Sequence, residues 1–119
     1  MKKSIWDLPS LNKTWQTVAS LIKEDPTTEV NVLFYGHGDD IVVLKQDGEV
    51  VFATWFNRCW PSVDDKRPRE RRENIRKKIE IVEDTPNYQY IHRSGNEEEW
   101  NRIMHEMEAW CQNQGERHD

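Results

Sequence analysis

Apolar residues near the start of the chain recur three or four positions apart, and mostly polar residues fill the positions between them. This pattern predicts an amphipathic helix with one apolar face. Asp7 is in position to cap the helix, and Pro9 is acceptable in a first helical turn. The helix is expected to end at Asp25, because the residue before Pro26 avoids helical geometry. The apolar positions are Leu8, Leu11, Trp15, Val18, Ala19 and Ile22.

The pattern then changes to one typical of β-strands. Three runs rich in β-branched and aromatic residues follow, at 30–35, 41–46 and 49–56. Asp47-Gly48 separates the last two runs and predicts a tight hairpin, because a type I′ turn needs positive φ at both central residues. The runs are apolar on both faces, so one face is expected to meet helices, while the other is covered too or is exposed to a partner. The predicted pairs are Gln46 with Glu49, Leu44 with Val51 and Val43 with Phe52.

The second half of the chain begins with an irregular segment at 58–68 and a basic stretch that fits either a short helix or a loop. After it, Ile79 and Ile81 alternate with Lys78 and Glu80, as in a strand. Residues 88–93 predict a further strand. A final helix is predicted from a stripe of apolar residues at helical spacing: Trp100, Ile103, Met104, Met107, Trp110 and Cys111.

The ends of this last helix also carry recognisable signals. Asn96 is in position to cap it, with Glu99 three residues later in a capping box. Glu97, Glu98 and Glu99 stand where the helix dipole favours acids. Gly115 is expected to end the helix, which leaves 115–119 as a frayed tail.

Together these elements predict an α+β fold with the order α-β-β-β-loop or short helix-β-β-α. We expect an antiparallel sheet of about five strands, covered on one face by the N- and C-terminal helices. Residues 1–119 are expected to form a single domain, with the basic loop or short helix at 58–78. This order of elements is similar to that of frataxin-type domains and several bacterial immunity proteins, but no motif assigns the chain to either group.

Composition narrows the class of protein. The 119-residue chain is 33% charged, yet 10% of it is aromatic and includes six tryptophans, so it is expected to build a small aromatic core rather than to be disordered. The sequence shows no apolar run long enough for a membrane span and no signal peptide. Cys59 and Cys111 therefore read as reduced thiols of a cytoplasmic protein, although their distance in sequence does not exclude a disulfide.

Charge is unevenly distributed along the chain. The segment 66–78 holds eight basic residues and two acids, which give it a charge of +6, whereas the whole chain is −5 and the remainder is therefore −11. Such a segment is suited to nucleic acid, to an acidic protein partner or simply to solubility. The acidic remainder argues against nucleic acid, since proteins that bind it broadly tend to be basic overall.

Motifs for chemistry are missing from the sequence. It has no nucleophile elbow, no phosphate-binding glycine loop and no His-Glu-x-x-His. A pairing of Cys59 with His37 or His92 is the only catalytic arrangement to consider, and nothing local supports it. The glycines of 36–40 explain a turn without a bound cation. No catalytic residue, metal site or cofactor is therefore predicted.

The sequence-based hypothesis is a non-enzymatic inhibitor, immunity factor or adaptor that binds another protein through charge and aromatic anchors. A nucleic-acid-binding module that uses 66–78 is the alternative, and a small enzyme is the third interpretation. Acidic turns around Asp39, Asp40 and Asp47 offer a second surface for a basic partner. The oligomeric state stays open. The predicted partner-binding residues are Trp55, Arg58, Trp60, Arg67, Arg69, Arg71, Arg72 and Arg76.

Overall fold

The computed structural model describes residues 4–57, 73, 76–77 and 80–116, and confirms the α+β class. Within these residues, one mixed sheet of four strands has the order β3-β2-β1-β4. The elements are a 3₁₀ turn at Ile5–Asp7, helix α1 at Leu11–Glu24, strands β1 at Glu29–Gly36, β2 at Asp39–Gln46, β3 at Glu49–Asn57 and β4 at Asn87–Ile91, and helix α2 at Glu97–Glu116.

The N-terminal helix starts later than the sequence predicts. Ser4 is the N-cap of the 3₁₀ turn, and the Asp7 carboxylate accepts from the Ser4 backbone N–H in a reciprocal capping box. The chain then has extended backbone as far as Ser10, the residue before α1. Within this segment, the Pro9 carbonyl accepts a hydrogen bond from the Trp55 backbone N–H at 2.9 Å. This short segment therefore covers part of the open edge of β3 before α1 begins.

The end of α1 lies where the sequence predicts it. Asp25 has extended backbone geometry and closes the helix. The backbone N–H and the hydroxyl of Thr27 both donate to the Asp25 carboxylate. These bonds favour the ionised form and lower the pKa of Asp25 below its ordinary value.

The Asp47-Gly48 hairpin is confirmed, with φ of 54° and 81° at the two turn residues. Gln46 pairs with Glu49 as predicted. The remaining predicted register is wrong, because a bulge at Val51 shifts every later pair by one residue. The observed pairs after the bulge include Leu44 with Phe52 and Val43 with Ala53.

The last strand pairs differently from the prediction. β4 runs parallel to β1, with Val30 opposite Tyr88 and Leu33 opposite Ile91. Residues 80–83 are helical, so the strand predicted around Ile81 is wrong, and with it the fifth strand and the all-antiparallel sheet. Parallel strands need a crossover connection of about a dozen residues or more, and 58–86 supplies that length.

The two long helices lie on opposite faces of the sheet, not on one face as predicted. Val32 and Val42 point toward α1, where Val18 and Leu11 are buried with them, and Val82 joins this cluster. The alternate residues of the same strands form a second cluster against α2. That cluster contains Leu33, Ile41, Val43, Ala53, Ile91, Trp100, Ile103, Met104, Met107 and Cys111.

The described residues between 73 and 83, which lie in and just after the basic segment, have helical backbone. Glu73, Arg76, Lys77 and Glu80 are all exposed, and their spacing places them on one side of a helix. Val82, by contrast, is buried under α1. The helical interpretation of this stretch therefore holds for the residues described, and its exposed side carries both charge signs.

The C-terminal helix matches its predicted face. The buried residues of α2 are those of the predicted apolar stripe, although Trp110 is only half-buried. The helix continues to Glu116, so Gly115 does not end it. Among the described residues, no helix is long and apolar enough to cross a membrane.

Candidate functional site

The strands end in an aromatic surface at one end of the sheet. This end holds the carboxyl termini of β1, β3 and β4 and the start of β2. In the part of the chain that is described, three large hydrophobic residues are exposed: Trp6 at 69%, Tyr35 at 39% and Phe34 at 37%. All three lie at this end of the sheet, and we call the surface that they form the aromatic end.

Trp6 and Tyr35 rest on Trp55, which anchors this surface. The indole N–H of Trp55 donates to the Ile5 carbonyl at 2.7 Å and so fixes the 3₁₀ turn against β3. The ring of Trp6 stacks on that of Trp55 with centroids 5.8 Å apart, and Tyr35 meets Trp55 edge-on at 5.1 Å. These contacts hold the exposed rings in place, which lowers the conformational entropy lost when a partner binds.

A β-bulge lies at the end of β1, where two consecutive residues are exposed. Phe34 pairs with Asp40 and Gly36 with Asp39, so Tyr35 has no residue directly opposite. Successive side chains of a regular strand point to opposite faces. The extra residue breaks this alternation at the end of β1, as bulges do.

A groove of about 910 Å³ continues from the aromatic end along the first half of α2. Trp100 lines it, and its indole N–H donates to the Phe34 carbonyl at 3.0 Å. The Arg93 guanidinium lies over the Trp100 ring, 5.3 Å from its centroid. The polar lining includes His37, His92, Arg93, Glu97, His105 and Glu108.

Three of the four histidines of the chain line this groove. His92 stacks on Phe34 with ring centroids 4.7 Å apart and meets Tyr90 edge-on at 5.1 Å. The hydroxyl of Tyr90 donates to the carboxylate of the buried Asp40 at 3.0 Å. Across the described residues, no group of three or more His, Cys, Asp or Glu side chains is placed to hold a metal ion.

A polar cluster lies further along the same face, between the sheet and α2. The buried Lys45 ammonium donates to the Glu106 carboxylate at 2.7 Å. Arg102 reaches the other Glu106 oxygen at 3.3 Å and Glu99 at 3.5 Å. Gln89 connects Glu99 to the buried Asn31. These bonds attach α2 to the sheet and lie outside the groove.

The predicted site residues are only partly described. Trp55 is half-buried and supports the aromatic end, and Arg76 is exposed on the helical stretch. Arg58, Trp60, Arg67, Arg69, Arg71 and Arg72 lie outside the described residues, as does Cys59. The structure brings the two histidines considered with Cys59, His37 and His92, into one groove.

The two predicted acidic turns do not form one surface. Asp39 lies at the aromatic end, whereas Asp47 lies at the other end of β2, eight residues along the strand direction. Asp40 is buried and accepts the bond from Tyr90. A basic partner that contacts one turn is therefore far from the other.

Sequence reasoning missed Trp6, Phe34 and Tyr35 as surface residues. Trp6 precedes Asp7 and Pro9 and belongs to no apolar stripe, and this position is the sequence signal for its exposure. Phe34 and Tyr35 are adjacent aromatics at a strand end, just before Gly36, and regular alternation would place them on opposite faces of the sheet. The bulge at Tyr35 has no local sequence signature here.

Comparison with known proteins gives no relative on which to base a function: no family model, curated protein or solved structure matches the chain.

Proposed function

We propose that this protein is a non-enzymatic, cytoplasmic binding protein, an inhibitor, immunity factor or adaptor, that binds another protein through the aromatic end. One observation carries the proposal: the exposed large hydrophobic residues of the described chain lie together at one end of the sheet. Contiguous exposed apolar surface of this kind is typical of interaction sites, whereas scattered apolar residues are ordinary.

The construction of this surface supports the same interpretation. Tryptophan and tyrosine are enriched among the residues that contribute most to binding at protein interfaces. Trp6 and Tyr35 are in mutual edge-to-face contact at 5.8 Å, and both are held by Trp55. The neighbouring groove adds hydrogen-bonding groups around the apolar centre, which is the usual arrangement of a protein interface.

The test is capture of a partner from the native host with wild-type protein and with Trp6→Ala. Truncating a central aromatic anchor is expected to cost about 2 kcal/mol or more, which is roughly 30-fold in affinity. Because Trp6 is 69% exposed, the melting temperature should change little. Lys13→Ala, at an exposed position of α1, is the matched control and should retain the partner.

Quantitative binding measurements with the captured protein decide the outcome. Retention of full affinity by a Trp6→Ala/Tyr35→Ala double variant would refute the choice of surface. Binding to labelled RNA or DNA that weakens steeply with salt, with no protein partner recovered, would favour the nucleic-acid alternative instead.

A further inference from the structure

We propose that the groove beside the aromatic end receives an arginine- or lysine-containing segment of the partner. This inference rests on the proposed function and names the chemistry of the segment that docks. It follows from the charges around the groove, from the exposed aromatic rings beside them and from the size of the groove.

Among the described residues that line the groove, carboxylates outnumber lysine and arginine side chains. Glu97 and Glu108 line it, and among the described lining residues Arg93 is the only lysine or arginine. The Arg93 guanidinium is already placed over Trp100. Two more acids belong to this end of the molecule, since Asp7 follows Trp6 in the 3₁₀ turn and Asp39 begins β2.

Helix α2 adds to this negative field. It carries five glutamates in its first twelve residues against one arginine, and Arg102 lies between Glu99 and Glu106. The buried Lys45 also pairs with Glu106. Glu97, Glu98 and Glu108 remain exposed on the helix. A cationic segment is complementary to this surface, whereas an acidic segment is repelled.

The aromatic rings favour the same type of ligand. Guanidinium and ammonium groups are attracted to the faces of tryptophan and tyrosine, and guanidinium also pairs with nearby carboxylates. The centroids of Trp6, Tyr35 and Trp55 are only 5.1–5.8 Å apart, so the rings fill the space between themselves. A cation therefore meets their outer faces and is not enclosed in a cage.

The size of the groove indicates a segment, not a single side chain. A volume of about 910 Å³ lies near the upper end of the range of sites for drug-sized ligands. The groove runs from the strand ends to Glu108, the twelfth residue of α2. With a rise of about 1.5 Å per helical residue, this part of α2 is roughly 17 Å long, about five residues of extended chain.

The probe is a labelled nine-residue peptide that alternates arginine and alanine, and binding is measured by fluorescence anisotropy. Two matched peptides replace arginine by citrulline, which keeps the shape without the charge, or by glutamate. The arginine peptide should bind at least tenfold more tightly than the citrulline peptide, and the glutamate peptide should not bind.

The protein variant is Glu97→Gln/Glu108→Gln, which removes both charges from the groove and keeps the side-chain size. It should bind the arginine peptide at least tenfold more weakly. Glu24→Gln/Glu49→Gln removes two exposed carboxylates at the opposite end of the sheet and is the matched control. It should bind within twofold of the wild type.

Three results would overturn the inference: equal binding of the citrulline peptide, equal loss in the two glutamine variants, or no binding of the arginine peptide. The second of these means that the net charge of the protein, not the groove, attracts the peptide. If any of them occurs while capture of the native partner still depends on Trp6, the inference fails and the proposed function stands. If Trp6 also proves irrelevant, both fail.

Discussion

The buried ion pair between Lys45 and Glu106 gives the sharpest test of how the fold is held together. The Lys45 side chain is only 7% exposed, whereas that of Glu106 is 31% exposed. The Glu106 carboxylate also accepts from Arg102 at 3.3 Å, whereas among the described residues the Lys45 ammonium pairs with Glu106 alone. The two residues should therefore respond differently to substitution.

Replacing Glu106 by glutamine leaves a buried ammonium without its counter-charge. Loss of one partner from a fully buried pair costs about 3–5 kcal/mol. We expect about 2 kcal/mol here, because Glu106 is partly solvated and the amide oxygen still accepts a hydrogen bond. Replacing Lys45 by methionine keeps the apolar stem and leaves Glu106 with Arg102 and water, so a change within about 1 kcal/mol is expected.

The double variant gives the deciding comparison. When Lys45 is replaced by methionine, the Glu106 charge keeps only its half-exposed ion pair with Arg102. Such a pair contributes roughly 0–1 kcal/mol to stability. Lys45→Met/Glu106→Gln should therefore be more stable than Glu106→Gln alone. A second mutation in the same cluster is thus expected to restore stability.

Urea unfolding followed by tryptophan fluorescence measures these free energies, provided that the slope with urea is unchanged between variants. Arg102→Ala is the control, since its side chain is 58% exposed and should contribute less than about 1 kcal/mol. The reasoning is refuted if the double variant is less stable than Glu106→Gln, or if Lys45→Met costs as much as Glu106→Gln.

Three further predictions follow from single positions. Gly48→Ala should lower the free energy of unfolding by about 1–2 kcal/mol in urea titrations, because φ at Gly48 is +81° and a new Cβ meets no atom that would stabilise it. Met107→Ala, at a fully buried position, should cost about 2–5 kcal/mol, whereas Met107→Leu should cost less than about 1.5 kcal/mol; thermal unfolding compares the two. The lowered pKa of Asp25 stabilises the fold above the ordinary pKa of 3.8, and this contribution is lost as the pH falls through the folded-state value. Stability measured from pH 5 to pH 2 should therefore fall less steeply in Asp25→Asn, and equal slopes would contradict the assignment.

Local signals in the sequence predict the elements that depend on neighbouring residues. The hairpin at Asp47-Gly48 is confirmed because positive φ at two consecutive residues is a local requirement. The buried stripe of α2 is confirmed because helical spacing alone determines which side chains share a face. The end of α1 at Asp25 follows from Pro26.

The pairing of distant segments could not be predicted in the same way. The alternation around Ile81 fits a strand, but helical backbone buries Val82 against α1 instead. No local pattern predicts that β4 pairs with β1 in parallel, or that α1 and α2 pack on opposite faces of the sheet. Lys45 pairs with Glu106, which lies 61 residues further along the chain on α2, so the burial of Lys45 is decided by tertiary packing.

The aromatic end was not predicted from the sequence for a related reason. The sequence predicts a small aromatic-rich core for a chain with 33% charged residues, and it names only Trp55 and Trp60 as aromatic anchors for a partner. In the structure, two apolar clusters on opposite faces already fill the core against α1 and α2. Phe34 and Tyr35 are therefore not needed to close it, and both are exposed at the end of β1, where the bulge leaves Tyr35 without a residue opposite.

The contrast between the two ends of the sheet is the strongest reason to assign binding to one of them. Helices pack on both faces of the sheet, so its edges and strand ends are the parts that the two described helices do not cover. At the hairpin end, Asp47, Gly48 and Glu49 are exposed and polar, as a tight turn in water normally is. The other turn needs positive φ just as much, at His37 and Gly38, yet it is flanked by exposed aromatic rings that the turn geometry does not require. Neither the turn nor the core of the described residues accounts for these rings, and this supports the proposal that they contact a partner.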